Sequence, residues 1–258
     1  AAPGFSSVKI PSFHWCRTVF FLIPAISIYT LVLGALSIGL SLFDRRGVFA
    51  HGCARVWSWL ILATTNVDVT ISGLERLRRD VTYVFVSNHQ SIYDIPIIFA
   101  SIPHQLRIIA KESLGRFPVL GWHLRWTGHL LVNRARPSSK IGKRISKLLR
   151  DGLSLIVFPE GTRSRDGNVA PFKRGVFLLS VEASLPIVPV AVVGSRHVMR
   201  KGRLMTCPGE VQLVIHEPIP TASLTAADVR NLSDRVLKTI NSSVETLDPD
   251  LTQVEHKQ

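Results

Sequence analysis

Val81-Thr82-Tyr83-Val84-Phe85-Val86-Ser87-Asn88-His89-Gln90-Ser91-Ile92-Tyr93-Asp94 is the stretch that decides the fold class of this chain. Val81 to Val86 are all β-branched or aromatic, the side chains that fit a pleated strand. Asn88 to Ser91 breaks that run, and Ile92 to Ala100 then reads as a helix with Pro96 in its first turns. A strand handing directly to a helix is the repeating unit of an α/β sheet, and the pattern recurs. Leu106 to Ala110, His129 to Asn133, Leu153 to Phe158, Ile187 to Gly194 and Val211 to His216 are further strand candidates, with helical patterns between several of them. The expectation is α/β: a mixed, largely parallel sheet flanked by helices, its strands buried on both faces. Thr225 to Leu247 reads as a closing helix with Thr221 or Ser223 as N-cap.

The texture before Val67 is different. Thr18 to Phe43 carries no charged residue, and as a helix it would extend about 39 Å, enough for a hydrocarbon core of about 30 Å. Asp44-Arg45-Arg46-Gly47 ends it, and Val48 to Thr64 is again apolar but for His51 and Arg55. The pattern predicts an N-terminal two-helix membrane motif over residues 1–66, ahead of an α/β domain over 67–258, with Trp57 and Trp59 at headgroup level. The apolar run exceeds a signal peptide's core and no A-x-A-like site follows it. A polar face, which a helical hairpin of a soluble core would need, is missing. Positive charge flanks the run on both sides, so charge asymmetry does not set its orientation.

Lysine and arginine total 31 against 18 acidic residues in 258, a formal charge of +13, while mean hydropathy is +0.24. A basic chain attracts nucleic acid, anionic lipid or acidic proteins alike, and the apolar excess tilts the choice toward a membrane. No nucleic-acid-binding motif is present. Cys16, Cys53 and Cys207 have no CxxC spacing and form no closed disulfide set, and nothing suggests a metal site. Lys140, Lys143, Arg144, Lys147 and Arg150 share one face of a helical pattern, with Ile141, Ile145, Leu148 and Leu149 opposite. That face reads as a solvated outer surface or as a contact for an acidic carrier or anionic lipid.

His89 stands where the strand becomes the helix, with Asp94 five residues on. A carboxylate so placed can fix the imidazole tautomer, free the other nitrogen to accept a proton, and stabilise the imidazolium that results. A histidine capping a turn beside a carboxylate at a helix start explains H-x4-D equally well. A second cluster, Phe158-Pro159-Glu160-Gly161-Thr162-Arg163-Ser164, follows an apolar strand. Glycine permits close backbone approach to a ligand and arginine offers a planar fork for phosphate oxygens. Glu160 could accept a substrate hydroxyl or brace Arg163.

Together, Asn88 to Asp94 and Phe158 to Ser164 resemble two signature blocks of the glycerolipid acyltransferases, most nearly the bacterial 1-acyl-sn-glycerol-3-phosphate acyltransferases. Weaker blocks stand in the expected order at Gly128 to Arg134 and Ile187 to Ala191, so the resemblance covers roughly Val81 to Gly194. It implies His89 as general base, Asp94 as its partner, and Glu160, Gly161, Thr162, Arg163 and Arg134 as acceptor-binding residues. Lys111 resembles a lysine near the phosphate in bacterial members. At Asn133 the family often has aspartate. The implied reaction moves an acyl group from acyl-CoA or acyl carrier protein to the sn-2 hydroxyl of lysophosphatidic acid, with no cofactor. The oxyanion donor would be a backbone amide near the start of the His89 helix or in the Glu160 loop. The resemblance also implies partnership with a bilayer rather than nucleic acid, at the inner (cytoplasmic) membrane with the catalytic domain on the cytoplasmic side. Other lysophospholipids or glycerol 3-phosphate are rival acceptors, and a basic membrane-anchored binding module is the non-enzymatic rival. No G-x-S-x-G elbow supports a serine hydrolase.

Overall fold

The computed structural model describes residues 12–44, 46–133 and 140–248. Its N-terminal segment is helical from Phe13 to Ser41: α1 (Phe13–Arg17) runs through a π-helical turn (Thr18–Leu22) into α2 (Ile23–Ser41). At 29 residues this helix is long and apolar enough to cross a membrane. The chain reverses at Asp44, whose carboxylate accepts from the amides of Arg46, Gly47 and Phe49 at 3.1, 3.0 and 2.7 Å. Gly47, at φ +67°, opens α3 (Val48–Thr65). Trp57 Nε1 donates to Thr30 Oγ1 at 3.0 Å, so Trp57 faces inward between the two helices. Of the two tryptophans expected at headgroup level, only Trp59 is exposed, at 61%.

Beyond the hairpin come β1 (Val67–Ser72), β2 (Val84–Ser87), α4 (Asp94–Ser101), β3 (Leu106–Lys111), α5 (Leu120–Trp126), β4 (Leu130–Val132) and α6 (Lys140–Arg150). β5 (Ser154–Val157), α7 (Gly175–Glu182), β6 (Ile187–Val193), α8 (Ser195–Val198), β7 (Gly209–Ile215) and α9 (Val229–Leu247) follow. The strands form one sheet in the order β1-β7-β6-β2-β5-β3-β4. Every pairing from β6 to β4 is parallel, β7 runs antiparallel to β6, and β1 is parallel to β7. The expected mixed, largely parallel sheet is therefore present.

Strand alternation divides the core between the two faces. Phe85, Ile156, Val188, Val190 and Val192 pack with Ile61 and Leu62 of α3 and Ile97 and Ile98 of α4. Val84, Val86, Leu155, Ile187 and Ala191 pack with α6, α7 and α9 on the other face. β2, β5 and β6 are buried at every residue, which is why, apart from the terminal Ser87 and Ser154, they read as apolar runs. β1 is not among the strand candidates; it is a largely exposed edge strand whose Val67, Val69 and Ile71 alternate with Asp68, Thr70 and Ser72, a period of two in place of an unbroken apolar run. The N-cap expectation for the last helix is corrected. Thr225 forms a capping box with Asp228, while Thr221 Oγ1 donates to the carbonyls of Ser180 and Leu185. Thr225 immediately precedes the first helical residue, Ala226, so its side chain and not that of Thr221 or Ser223 reaches the helix's first amides.

Candidate active site

Five parallel strands, β6, β2, β5, β3 and β4, end at the same edge of the sheet, and the motif residues are found on the segments that leave it. Such a carboxyl-terminal edge is where open α/β sheets place ligands, because the loops leaving neighbouring strands converge there. Asn88, one residue past β2, fixes the turn to β6: its Nδ2 donates to the Val192 carbonyl and its Oδ1 accepts from the Val192 amide, both at 2.8 Å. His89 follows, 8% exposed, and Asp94, the first residue of α4, is fully buried.

Asp94 reaches back over the turn. Its Oδ2 accepts from His89 Nδ1 at 2.7 Å, Gln90 N at 2.8 Å and Ser91 N at 2.9 Å. Its Oδ1 accepts from Ser195 Oγ, at the start of α8, at 2.5 Å. Four donors on one buried carboxylate leave it a single rotamer. Phe158, just past β5, stacks on the His89 ring with centroids 4.1 Å apart and 22° between planes. The imidazole is thus held edge-on by Asp94 and face-on by Phe158. With Nδ1–H directed to the carboxylate, Nε2 carries the lone pair and can take a proton.

Glu160 holds the backbone on which His89 sits. Its Oε1 accepts from His89 N at 2.6 Å and its Oε2 from Ala170 N at 3.0 Å. Burial pushes its carboxyl above the ordinary value, opposed by the Ala170 and His89 amides. Ser164 N donates in turn to His89 O at 2.7 Å, so the loop from Phe158 clasps His89 from both sides of its backbone. Gly161 has φ +75°, in the left-handed region, and Lys173 Nζ lies only 2.9 Å from where a Cβ would stand. Lys201 Nζ donates to Thr162 Oγ1 at 2.9 Å and to the Arg163 carbonyl at 2.6 Å. Arg163 is half-buried in this loop. Lys111 is exposed at the end of β3, on the same sheet edge. Arg134 lies outside the described residues.

Ser195, Phe158 and Lys201 were not singled out from the sequence as partners of this site. Phe158 lies inside a quoted block, but its contact depends on β5 lying beside β2. Ser195 and Lys201 follow β6, and only sheet order brings the end of that strand next to His89. Among the described residues no group of three or more His, Cys, Asp or Glu could hold a metal ion.

Beside the pair lies an apolar cavity of about 320 Å³ between the hairpin and the sheet. Ile26 and Leu33 of α2, Trp57 of α3, Pro96 and Phe99 of α4 and Leu124 of α5 are among its walls, and Ile92, three residues from His89, borders it.

A family model described as Acyltransferase matches residues 68–193. The human 1-acyl-sn-glycerol-3-phosphate acyltransferase alpha is 31% identical over 211 residues, spanning 81% of this chain and 75% of the relative. The chain belongs to the acyltransferase family. A chloroplastic 1-acyl-sn-glycerol-3-phosphate acyltransferase of Brassica napus is 36% identical over 198 residues, 74% of this chain. The chain spans 57% of that relative's own length. Among solved structures, the 1-acyl-sn-glycerophosphate acyltransferase PlsC of Thermotoga maritima matches with a TM-score of 0.74 and 29% identity, over 90% of this chain and 97% of that one. Within the family, the His89–Asp94 pair and the Glu160 loop lie inside the matched residues.

Proposed function

We propose that the protein transfers an acyl group from an acyl thioester to the sn-2 hydroxyl of 1-acyl-sn-glycerol 3-phosphate, giving phosphatidic acid. The observation that carries this reading is the His89–Asp94 pair, locked in one geometry at the sheet edge beside an apolar cavity. Relatives named for that acceptor support the choice of substrate. His89 Nε2 removes the hydroxyl proton as the oxygen attacks the thioester carbonyl, the C–O bond forms, the C–S bond breaks, and the thiolate departs. The proton held on His89 can then pass to the thiolate. Asp94 keeps the tautomer and stabilises the imidazolium.

Transfer without a covalent enzyme intermediate is supported by the neighbouring serines. Ser87, Ser91 and Ser195 donate their hydroxyl protons to the Asn88 carbonyl, the Met199 carbonyl and Asp94. None donates to His89. The amides of His89, Gln90 and Ser91 are taken by Glu160 and Asp94, so in this proposal the oxyanion donor comes from the Glu160 loop. Glu160, with both oxygens on backbone amides, acts as a positioning residue. Arg163, together with Lys111 and Arg134, binds the acceptor's phosphate. Its hydrocarbon chain or that of the donor enters the cavity, where each buried CH₂ contributes about 0.8 kcal/mol. The donor, acyl-CoA or acyl carrier protein, is a co-substrate, and no cofactor enters the scheme. The hairpin anchors the protein re-entrantly, keeping both its ends on the cytoplasmic side.

The deciding assay offers lysophosphatidic acid, glycerol 3-phosphate and lysophosphatidylcholine against both donor types, measuring thiol release and lipid product together. Lysophosphatidic acid should give the highest kcat/KM; thiol release without phosphatidic acid would sink the assignment. Arg163→Ala should raise the KM for lysophosphatidic acid by about tenfold with the donor's KM little changed, and Arg163→Lys should recover only part, since lysine lacks the bidentate fork. A rise in the donor's KM instead would move Arg163 to the thioester side.

On α6, Lys143, Arg144, Lys147 and Arg150 are exposed while Ile145, Leu148 and Leu149 are buried, so the cations face outward together. This face recruits an acidic carrier or anionic lipid. Reversing Lys143 and Lys147 to glutamate should slow turnover several-fold at low salt and much less at high salt, where screening already weakens the attraction. Equal losses at both ionic strengths would leave the face a solvated surface.

A further inference from the structure

α5 stands between the apolar cavity and the outside of the molecule. Leu120, His123 and Leu124 line the cavity from its inner side. On the outer side Trp122 and Trp126 are 54% and 60% exposed, and Phe117, in the turn leading into the helix, is 57% exposed. Trp122 and Trp126 are four residues apart and so share one helical face. Large rings left together in water mark a surface that binds something.

Two observations indicate what covers it. The first is continuity with the hairpin: α5 packs directly on α2, where Ser37 Oγ meets His123 Nδ1 at 2.5 Å. Gly34 admits Val119 so closely that a Cβ there would lie 2.5 Å from its Cγ1. The adjoining helix α2 exposes Leu31, Val32 and Leu36, so apolar surface on α5 continues apolar surface on the membrane-length helix. The second is charge. Arg125 lies between the two tryptophans in sequence, and exposed Arg116 and Lys111 flank the turn, outnumbering Glu112. Tryptophan rings with neighbouring cations suit the headgroup region of a bilayer, where the ring's apolar body is buried and its N–H and the cations stay wet.

We infer that the outer face of α5 and the Phe117 turn form a second membrane-contact surface, which sets its rings into the headgroup layer beside the hairpin. The cavity wall then rests on lipid, so a hydrocarbon chain can pass between bilayer and cavity along α5 without crossing water. The inference rests on the proposed role of the hairpin as anchor, and its test separates the two.

The full chain and a Trp122→Phe, Trp126→Phe variant are mixed with phosphatidylcholine–phosphatidylglycerol vesicles, and the difference in their fluorescence reports these two tryptophans. With bromine on the lipid chains near the headgroup, the difference emission should fall by at least about twofold, as a depth of about 5 to 10 Å requires, and should become insensitive to aqueous iodide. In parallel, Phe117→Ser, Trp122→Ser, Trp126→Ser should cut turnover of vesicle-embedded lysophosphatidic acid by about tenfold, while a short-chain soluble analogue is turned over within about twofold of the parent rate. A chain that does not bind vesicles at all overturns the anchor. A chain that binds while the difference emission stays iodide-sensitive and unquenched by bromolipid overturns the α5 surface alone. Emission shielded from both quenchers, with a dimer that the serine variant dissociates, assigns the face to a second copy and also overturns it. So does an equal loss on soluble and embedded substrates, which would make these residues part of the cavity wall only.

Discussion

His89→Ala is expected to reduce turnover by about 10²- to 10⁴-fold, the range for removal of a positioned general base, with the unfolding midpoint little changed. The ring is held by its hydrogen bond to Asp94 and its stacking on Phe158, and its removal leaves Asp94 with its three other donors. Asp94→Asn should cost less. An asparagine can keep its oxygen toward His89, Gln90 and Ser91 and turn its NH₂ toward Ser195 Oγ, which can accept as well as donate. Geometry then survives and the charge that stabilises the imidazolium is lost. Steady-state rates of thiol release for both variants, alongside their circular dichroism, test the pair. A His89→Ala enzyme retaining more than about a tenth of the parent rate would remove histidine from the chemistry.

Acid should loosen the seam between hairpin and sheet. Burial, with Arg107 as the next cause, lowers His123 from 6.5 to about 4, and burial with Arg107 and Arg55 does the same to His51. His129 is also lowered well below the ordinary value, by burial first and then by His123, Arg107 and His51, and its Nδ1 already accepts from the Ile108 amide at 3.1 Å. Arg107 itself is buried on β3, drawn down to about 10 by desolvation, and donates to the Arg46 carbonyl at the hairpin turn at 3.2 Å. The Asp44 carboxylate partly opposes that fall in Arg107. A histidine held below its unfolded value favours the folded state fully above pH 6.5 and loses that contribution as pH falls toward 4, because the unfolded chain then binds more protons. Between about pH 7 and pH 5 one such histidine gives up about 2 kcal/mol, a sizeable part of a typical stability of about 5 to 15 kcal/mol. Unfolding in detergent micelles across that window should show the decline, and His51→Gln with His123→Gln should flatten it. A parent protein equally stable at both ends would refute the account.

The sequence by itself determined the sheet's inner strands and the identity of the catalytic candidates. Val84 to Ser87, Ser154 to Val157 and Ile187 to Val193 were legible because a strand buried on both faces is apolar nearly throughout, with Ser87 and Ser154 only at strand ends. β1, whose side chains are mostly in water, carried no such constraint and was not picked out. Five residues across a turn keep His89 and Asp94 local enough to meet, but H-x4-D fits a capped turn equally well, and it is the two blocks together, with the resemblance they carry, that select the pair. Trp57 and Trp59 show the limit: both looked amphipathic and interfacial, but a tryptophan's place depends on which helix face meets α2, and only packing turned Trp57 inward to Thr30.

Tertiary structure alone decided what holds the pair in place. Glu160 reads from the sequence as a residue for substrate or for Arg163, yet its Oε1 accepts from the His89 amide, 71 positions away, because β5 lies beside β2. Ser195, 101 positions from Asp94, and Phe158, stacked on His89, reach the site only because β6 and β5 flank β2 in the sheet. Strand order is set by how the whole set of apolar faces is buried, a property of the assembled layers and not of any one segment. Local sequence therefore specified the candidate catalytic groups, and the sheet's topology supplied the contacts that fix their geometry.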